Sequence, residues 1–224
     1  MKLAIVGDCS QGDPALFAKA LDAAFAAADV VVQVGDINSS DHTSYDVVKA
    51  RLAAGKPLHL VPGNHDTQGP GSWDSYLPGL PKQWIVENYG MTLIGLDNSN
   101  DNIGKDGWAI LNNYDAAPKS DPVFVFVHKS LSTLLLPDGS ESNHIVSEGA
   151  SNPDADKLKK WVADHEATVC CGHFHGSAIM RAAYGDVILE GRGGAQGYHG
   201  SPVCGYTLIC VQPEGWTAHP VDLT

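Results

Sequence analysis

Three short apolar runs in the first third of the chain each stop at a polar cluster, and this repeated ending constrains the fold more than any other feature. Lys2 to Val6 is followed by Gly7-Asp8, Val30 to Val34 by Gly35-Asp36, and Leu58 to Val61 by Pro62-Gly63-Asn64-His65-Asp66. Between them, an alanine-rich segment from Pro14 to Ala28 reads as a helix, with Asp13 ahead of Pro14 at its start. Tyr45 to Ala54 reads as a second helix. Strands that alternate with helices predict parallel pairing, and in such sheets ligands bind outside the carboxyl ends of the strands.

The remainder continues the theme less regularly. Trp84 to Tyr89 and Met91 to Leu96, separated by Gly90, predict a hairpin. Val123 to Val127 is a fully apolar run ending at His128, and a loop rich in Ser, Gly and Asp follows from Lys129 to Pro153. Asp154 to His165 reads as a helix, and Thr168 to Cys171 as a buried strand ending in Gly172-His173-Phe174-His175. Val187 to Glu190, Tyr206 to Val211 and Trp216 to His219 are separated by Gly and Pro turns and predict mainly antiparallel strands. With no internal repeat or linker, the 224 residues are expected to form one α/β domain spanning 1–224.

Fourteen basic and 26 acidic residues give a formal charge of −12, which disfavours long nucleic acid as a partner. The acidity serves solubility, or feeds a carboxylate-rich site that binds cations. Five cysteines, two of them adjacent at Cys170 and Cys171, show no disulfide or zinc spacing and predict reduced thiols in a cytoplasmic protein. No apolar stretch approaches the roughly 18 residues of a membrane span, and the N-terminus turns polar too soon for a signal peptide.

Five candidate strands thus end in Asp8, Asp36, Asn64-His65, His128, and His173 with His175. Taken singly, Gly-Asp is commonly a turn with an Asx hydrogen bond, and a lone histidine is more often structural than a ligand. Together, carboxylate and amide oxygens combined with neutral imidazoles are the ligand mix that suits Mn²⁺, Fe or Zn²⁺.

The order Gly-Asp, Gly-Asp, Gly-Asn-His-Asp, His, Gly-His-Phe-His, from Asp8 to His175, resembles the calcineurin-like metallophosphoesterase family, in particular its phosphodiesterase-like branch. The resemblance implies an α/β fold of two packed mixed β-sheets flanked by helices, with a two-metal site at one edge. Asp36 would bridge the metals. Asn64, His128 and His173 would complete one site, and Asp8 and His175 would hold the other. The family usually supplies a further histidine two residues after its first aspartate, where this chain has Ser10. Neutral serine is a poor ligand, so the resemblance implies a looser second site, with Cys9, Gln11, His144 or His199 as open substitutes.

Two cations about 3.5 to 4 Å apart lower the pKa of a shared water, orient the phosphate and stabilise charge on the attacking and departing oxygens, so no enzyme nucleophile is needed. His65 matches the family histidine that protonates the leaving group. Asp66 either orients His65 or caps the turn that follows. The glycine-rich stretch from Gly191 to Gly200 either lets backbone amides and Arg192 approach a phosphate or only serves turns. Trp73, Tyr76 and His144 either stack on an aromatic leaving group or cover the core edge, whereas Trp161 and Trp216 read as core. The implied function is metal-dependent hydrolysis of a small phosphate diester or monoester. The protein phosphatase branch carries an arginine soon after its second Gly-Asp, and Ile37 to Asp41 offers none. A non-catalytic interaction module with an impaired site, as in the metallophosphoesterase-like subunit of retromer, is the alternative that Ser10 supports.

Overall fold

A computed structural model describes residues 1–10, 12–38, 42–67, 72–88, 90–117, 121–133, 153–196 and 202–223. The three opening strands form as expected: β1 (Lys2–Val6), β2 (Val30–Gln33) and β3 (Leu58–Leu60) pair in parallel, β1 to β2 and β2 to β3. Helix α1 (Pro14–Ala27) starts where Asp13 accepts the Ala15 N–H on its side chain at 2.8 Å, with Pro14 in the first turn. Helix α2 (Thr43–Ala53) begins two residues before the expected Tyr45, after His42 takes a left-handed conformation.

Two short helices, α3 (Asn64–Thr67) and α4 (Trp73–Tyr76), lead to the hairpin of β4 (Trp84–Asn88) and β5 (Met91–Gly95). Helix α5 (Gly104–Ala116), which the sequence reading left unassigned, precedes β6 (Val123–Phe126). Its buried stripe of Gly107, Leu111 and Tyr114 hides from inspection because a glycine stands in it. A Cβ on Gly107 would lie 2.5 Å from Gln83 Oε1, so the helix packs too closely there for a side chain.

The chain then runs through α6 (Pro153–Asp164), β7 (Thr168–Cys171), β8 (Ser177–Ala182), β9 (Gly185–Glu190), β10 (Gly193–Gln196), β11 (Pro202–Gln212) and β12 (Gly215–Asp222). Strands β8 and β10 were not expected; the C-terminal region is mainly antiparallel as expected, with β9 pairing in parallel with β7 as the exception. The other pairings there, β8 with β9, β10 with β11 and β11 with β12, are antiparallel.

The described strands form two six-stranded sheets, one ordered β10-β11-β1-β2-β3 with β12 on β11, the other β4-β5-β6-β7-β9-β8. Alternation along each strand builds three layers of core. Leu3, Ile5, Val32, Phe124, Phe126 and Ile188 fill the space between the sheets. Ala4, Val6 and Val31 face α1 and α2, while Val123, Val125 and Val169 face α5 and α6. Trp161 lies in the outer core and Trp216 packs against the inter-sheet core, as expected. All five cysteines are free thiols. Among the described residues, no helix is long and apolar enough to cross a membrane. The result is a sandwich of two mixed sheets between helices, and the carboxyl ends of β1, β2, β3, β6 and β7 carry the polar clusters.

Candidate metal centre

Each polar cluster is laced to the others, so the loops position one another. Cys9 N–H donates to the Asp36 carbonyl at 2.8 Å, and Gly172 N–H donates to the His128 carbonyl at 3.0 Å. Asp8 accepts the His173 N–H at 3.1 Å and 3.0 Å on its two oxygens, while Asp36 Oδ1 accepts the His65 N–H at 2.9 Å. The motif glycines are required because another motif's side chain fills the space a Cβ would take. On Gly63 it would lie 2.1 Å from Asp36 Oδ1, and on Gly35 2.5 Å from His128 Nδ1. Asp36 and His173 adopt φ of 55° and 65°, the left-handed region that non-glycine residues rarely occupy. Backbone strain of this kind persists only where the surroundings enforce it, and it clusters at functional sites.

The first half of the centre converges on His128. Its Nδ1 lies 2.9 Å from the Val34 carbonyl, which can only accept, so Nδ1 carries a proton and the ring, when neutral, presents a lone pair at Nε2. Around that lone pair lie His173 Nδ1 at 3.0 Å, Asn64 Oδ1 at 3.1 Å and Asp36 Oδ1 at 3.4 Å. The two oxygens cannot donate, so the cluster needs positive charge at its middle. Ligands about 2.0 to 2.2 Å from a tetrahedral cation stand roughly 3.3 Å apart, which matches these spacings. The residues therefore fit a divalent metal.

Burial opposes charge on the His128 ring, yet Asp36 and Asp8 outweigh it and hold the pKa up at about 9. Burial pushes the Asp36 carboxyl upward, but His128 and the His65 N–H more than offset this and hold it below the usual carboxylate range. Asp8 goes the other way: burial, aided by Asp36, raises it well above the ordinary value despite His128. Of two buried carboxylates near one another, one keeps its proton until a cation displaces it.

The second half is sparser. His175 Nε2 lies 3.9 Å from Asp8 Oδ1. Ser10 is buried in the turn after β1, and Cys9 packs in the apolar cluster with Phe17 and Tyr45. Gln11, His144 and His199 lie outside the described residues.

His65 stands at the rim with 45% of its side chain exposed, and its Nε2 is 4.0 Å from Asp36 Oδ2. Asp66 sits behind it, fully buried. It accepts N–H groups of Ile37 at 3.2 Å, Asn38 at 3.0 Å and Gly63 at 2.8 Å, and the Tyr45 hydroxyl at 2.7 Å. The bonds from Ile37, Asn38 and Tyr45 tie the third loop to the second loop and to α2, and the Gly63 bond closes the third loop on itself, so these donors lie before Asp66 rather than in the turn that follows it. Burial and Asp36 raise the Asp66 carboxyl to about 6 against the pull of those donors.

Arg192 does not reach for a phosphate. Its guanidinium is paired with buried Glu190 at 2.6 Å and 3.0 Å, and Thr207 on the opposite sheet donates to the same carboxylate at 2.7 Å. The neighbouring glycines permit close packing instead: a Cβ on Gly193 would lie 2.3 Å from the Gly7 carbonyl. Trp73 is core, its Nε1 donating to the Leu80 carbonyl at 3.2 Å. Tyr76 stacks on Tyr45 and on His42, so its faces are already engaged.

Sequence inspection missed Asn98. Its buried Oδ1 accepts the N–H groups of His128 at 2.9 Å and Lys129 at 3.0 Å, and its Nδ2 donates to the Lys129 carbonyl at 2.7 Å. A polar Asp97-Asn98 pair after an apolar strand was the available signal.

The model of the calcineurin-like phosphoesterases matches residues 1–177. The chain belongs to that family. Metal-dependent hydrolysis of phosphate esters is the activity that membership implies at family level. Among solved structures, this calcineurin-like phosphoesterase is similar to GAP50, the anchor in the inner membrane complex of Plasmodium, with TM-score 0.64 and 14% identity over 99% of this chain and 84% of that one. Yfce, a phosphoesterase from E. coli, matches with TM-score 0.49 and 14% identity over 100% of both chains. Zinc-complexed Vps29 from Entamoeba histolytica matches with TM-score 0.45 and 12% identity over 99% of both. No curated protein sequence matches the chain.

Proposed function

We propose that the chain hydrolyses small phosphate esters, diesters or monoesters, at a centre of two divalent cations. Asp36, Asn64, His128 and His173 would hold one cation, with Asp36 shared and Asp8 and His175 holding the other. The observation that carries this is the convergence of Asn64 Oδ1, His173 Nδ1 and Asp36 Oδ1 on His128 Nε2. Bound divalent cations would polarise the phosphoryl oxygens and lower the pKa of a coordinated water. The chain's own residues supply orientation and a proton. Val34 fixes the His128 ring through Nδ1, leaving Nε2 to face the centre. His65, exposed at the rim beside Asp36, would in its protonated form donate a proton to the departing oxygen. Asp66 keeps the loop bearing Asn64 and His65 against the loop bearing Asp36 by accepting the Ile37 and Asn38 N–H groups.

Metal content per chain, measured beside Mn²⁺-dependent hydrolysis of bis(4-nitrophenyl) phosphate and 4-nitrophenyl phosphate, tests the reading. Turnover of either ester that disappears with chelation supports it. Tight metal binding with no turnover of either would favour the second reading, a non-catalytic module. Ser10 supports that reading, as does the fold shared with a protein described as an anchor.

A further inference from the structure

Gln33 is not among the candidate ligands, yet its side chain touches both Gly-Asp turns. It is the last residue of β2, fully buried, in a strand whose other members are valines. Its Nε2 donates to the Gly35 carbonyl at 2.6 Å and to the Gly7 carbonyl at 3.3 Å, while Oε1 accepts the Gly35 N–H at 3.0 Å. A carbonyl shares its rigid peptide plane with the nitrogen of the next residue. The two carbonyls gripped by one amide therefore belong to the planes that lead directly into Asp8 and Asp36.

Both planes could otherwise turn easily, because each follows a glycine. Gly35 has φ of +94° and Asp36 +55°, so the second turn in particular holds an unfavourable shape that needs an external restraint. A buried amide in a valine strand is costly unless its polar atoms are bonded, and here both ends are committed to the turns. We infer that Gln33 is a positioning residue that sets the direction and mutual spacing of the Asp8 and Asp36 carboxylates toward divalent cations. This rests on the reading of those carboxylates as metal ligands.

A purely structural glutamine would affect stability alone, so the test separates stability from affinity. Mn²⁺ binding is titrated by calorimetry for the unmodified protein, Gln33→Met and Val162→Ala, each at a temperature where circular dichroism shows it folded. Val162 is buried beside the start of β7, at the opposite end from His173, and its truncation weakens the core without touching the turns. Gln33→Met is expected to weaken Mn²⁺ binding about 10- to 100-fold, the range for groups that orient metal ligands. Val162→Ala should melt earlier yet keep the parent's affinity. Gln33→Asn, which keeps the amide but is one methylene too short to preserve both sets of contacts, gives the same reading if Gln33→Met does not fold. Parent-like affinity in the Gln33 variants, or an equal loss in Val162→Ala, overturns the inference alone. No Mn²⁺ binding by the unmodified protein overturns the metal reading and the inference with it.

Discussion

On one side, Asn64, His173 and Asp36 each bring an atom to ligand spacing around His128 Nε2; on the other, Asp8 and His175 approach at 3.9 Å. The first half is preorganised by packing. Its loops are braced by Asn98, Asp66 and the Val34 carbonyl, so little rearrangement stands between the folded chain and a bound ion. Among the described residues, the second half offers a carboxylate and one imidazole, so under the two-cation proposal it would keep coordination positions for water and substrate. The contrast teaches that packing can gather one set of candidate ligands closely and leave a neighbouring set apart.

The largest effect should come from the residue both halves share. Asp36→Asn keeps an acceptor for the His65 N–H and tolerates the left-handed backbone, but removes the charge that would neutralise both proposed cations. Mn²⁺-dependent hydrolysis should fall below detection while the circular dichroism spectrum is retained; activity within a few-fold of the parent would break the shared role.

His65 belongs to neither half. His65→Ala should leave bound metal unchanged and slow turnover of esters with poor leaving groups by roughly 10²- to 10⁴-fold, with a smaller loss for nitrophenyl esters. Metal lost in parallel with activity would make it a ligand instead.

Asn98 sharpens the comparison because it braces the first half alone. Asn98→Ala should weaken the tighter Mn²⁺ step about 10- to 100-fold and leave the weaker step in place. Calorimetry in which both steps weaken equally would show that the halves are not independent.

The smallest effect is expected from Ser10→His, which restores an imidazole to the sparse half and should tighten the weaker step by about 10-fold or less. Two equally tight steps in the unmodified protein would remove the contrast and mean that another residue already fills the place.

Much of this was legible in the chain itself. Apolar runs ending at Asp8, Asp36, Asn64, His128 and His173 fixed the strands, the parallel pairing and the edge where the candidate ligands gather, because burial and strand period are local properties of sequence. The two-sheet sandwich came with the family resemblance. Helix α5 escaped because its buried stripe includes Gly107, a residue chosen for contact with a side chain far back in the loop before β4. Tertiary structure alone decided the partners of the polar side chains. Arg192 stood open between a phosphate contact and a stretch that only serves turns, and nothing singled out Gln33 within the run from Val30 to Val34, because a hydrogen bond depends on which distant groups packing brings within about 3 Å. Sequence could therefore name the residue types a metal needs, while only the fold could give Arg192 to Glu190 and Gln33 to the two turns.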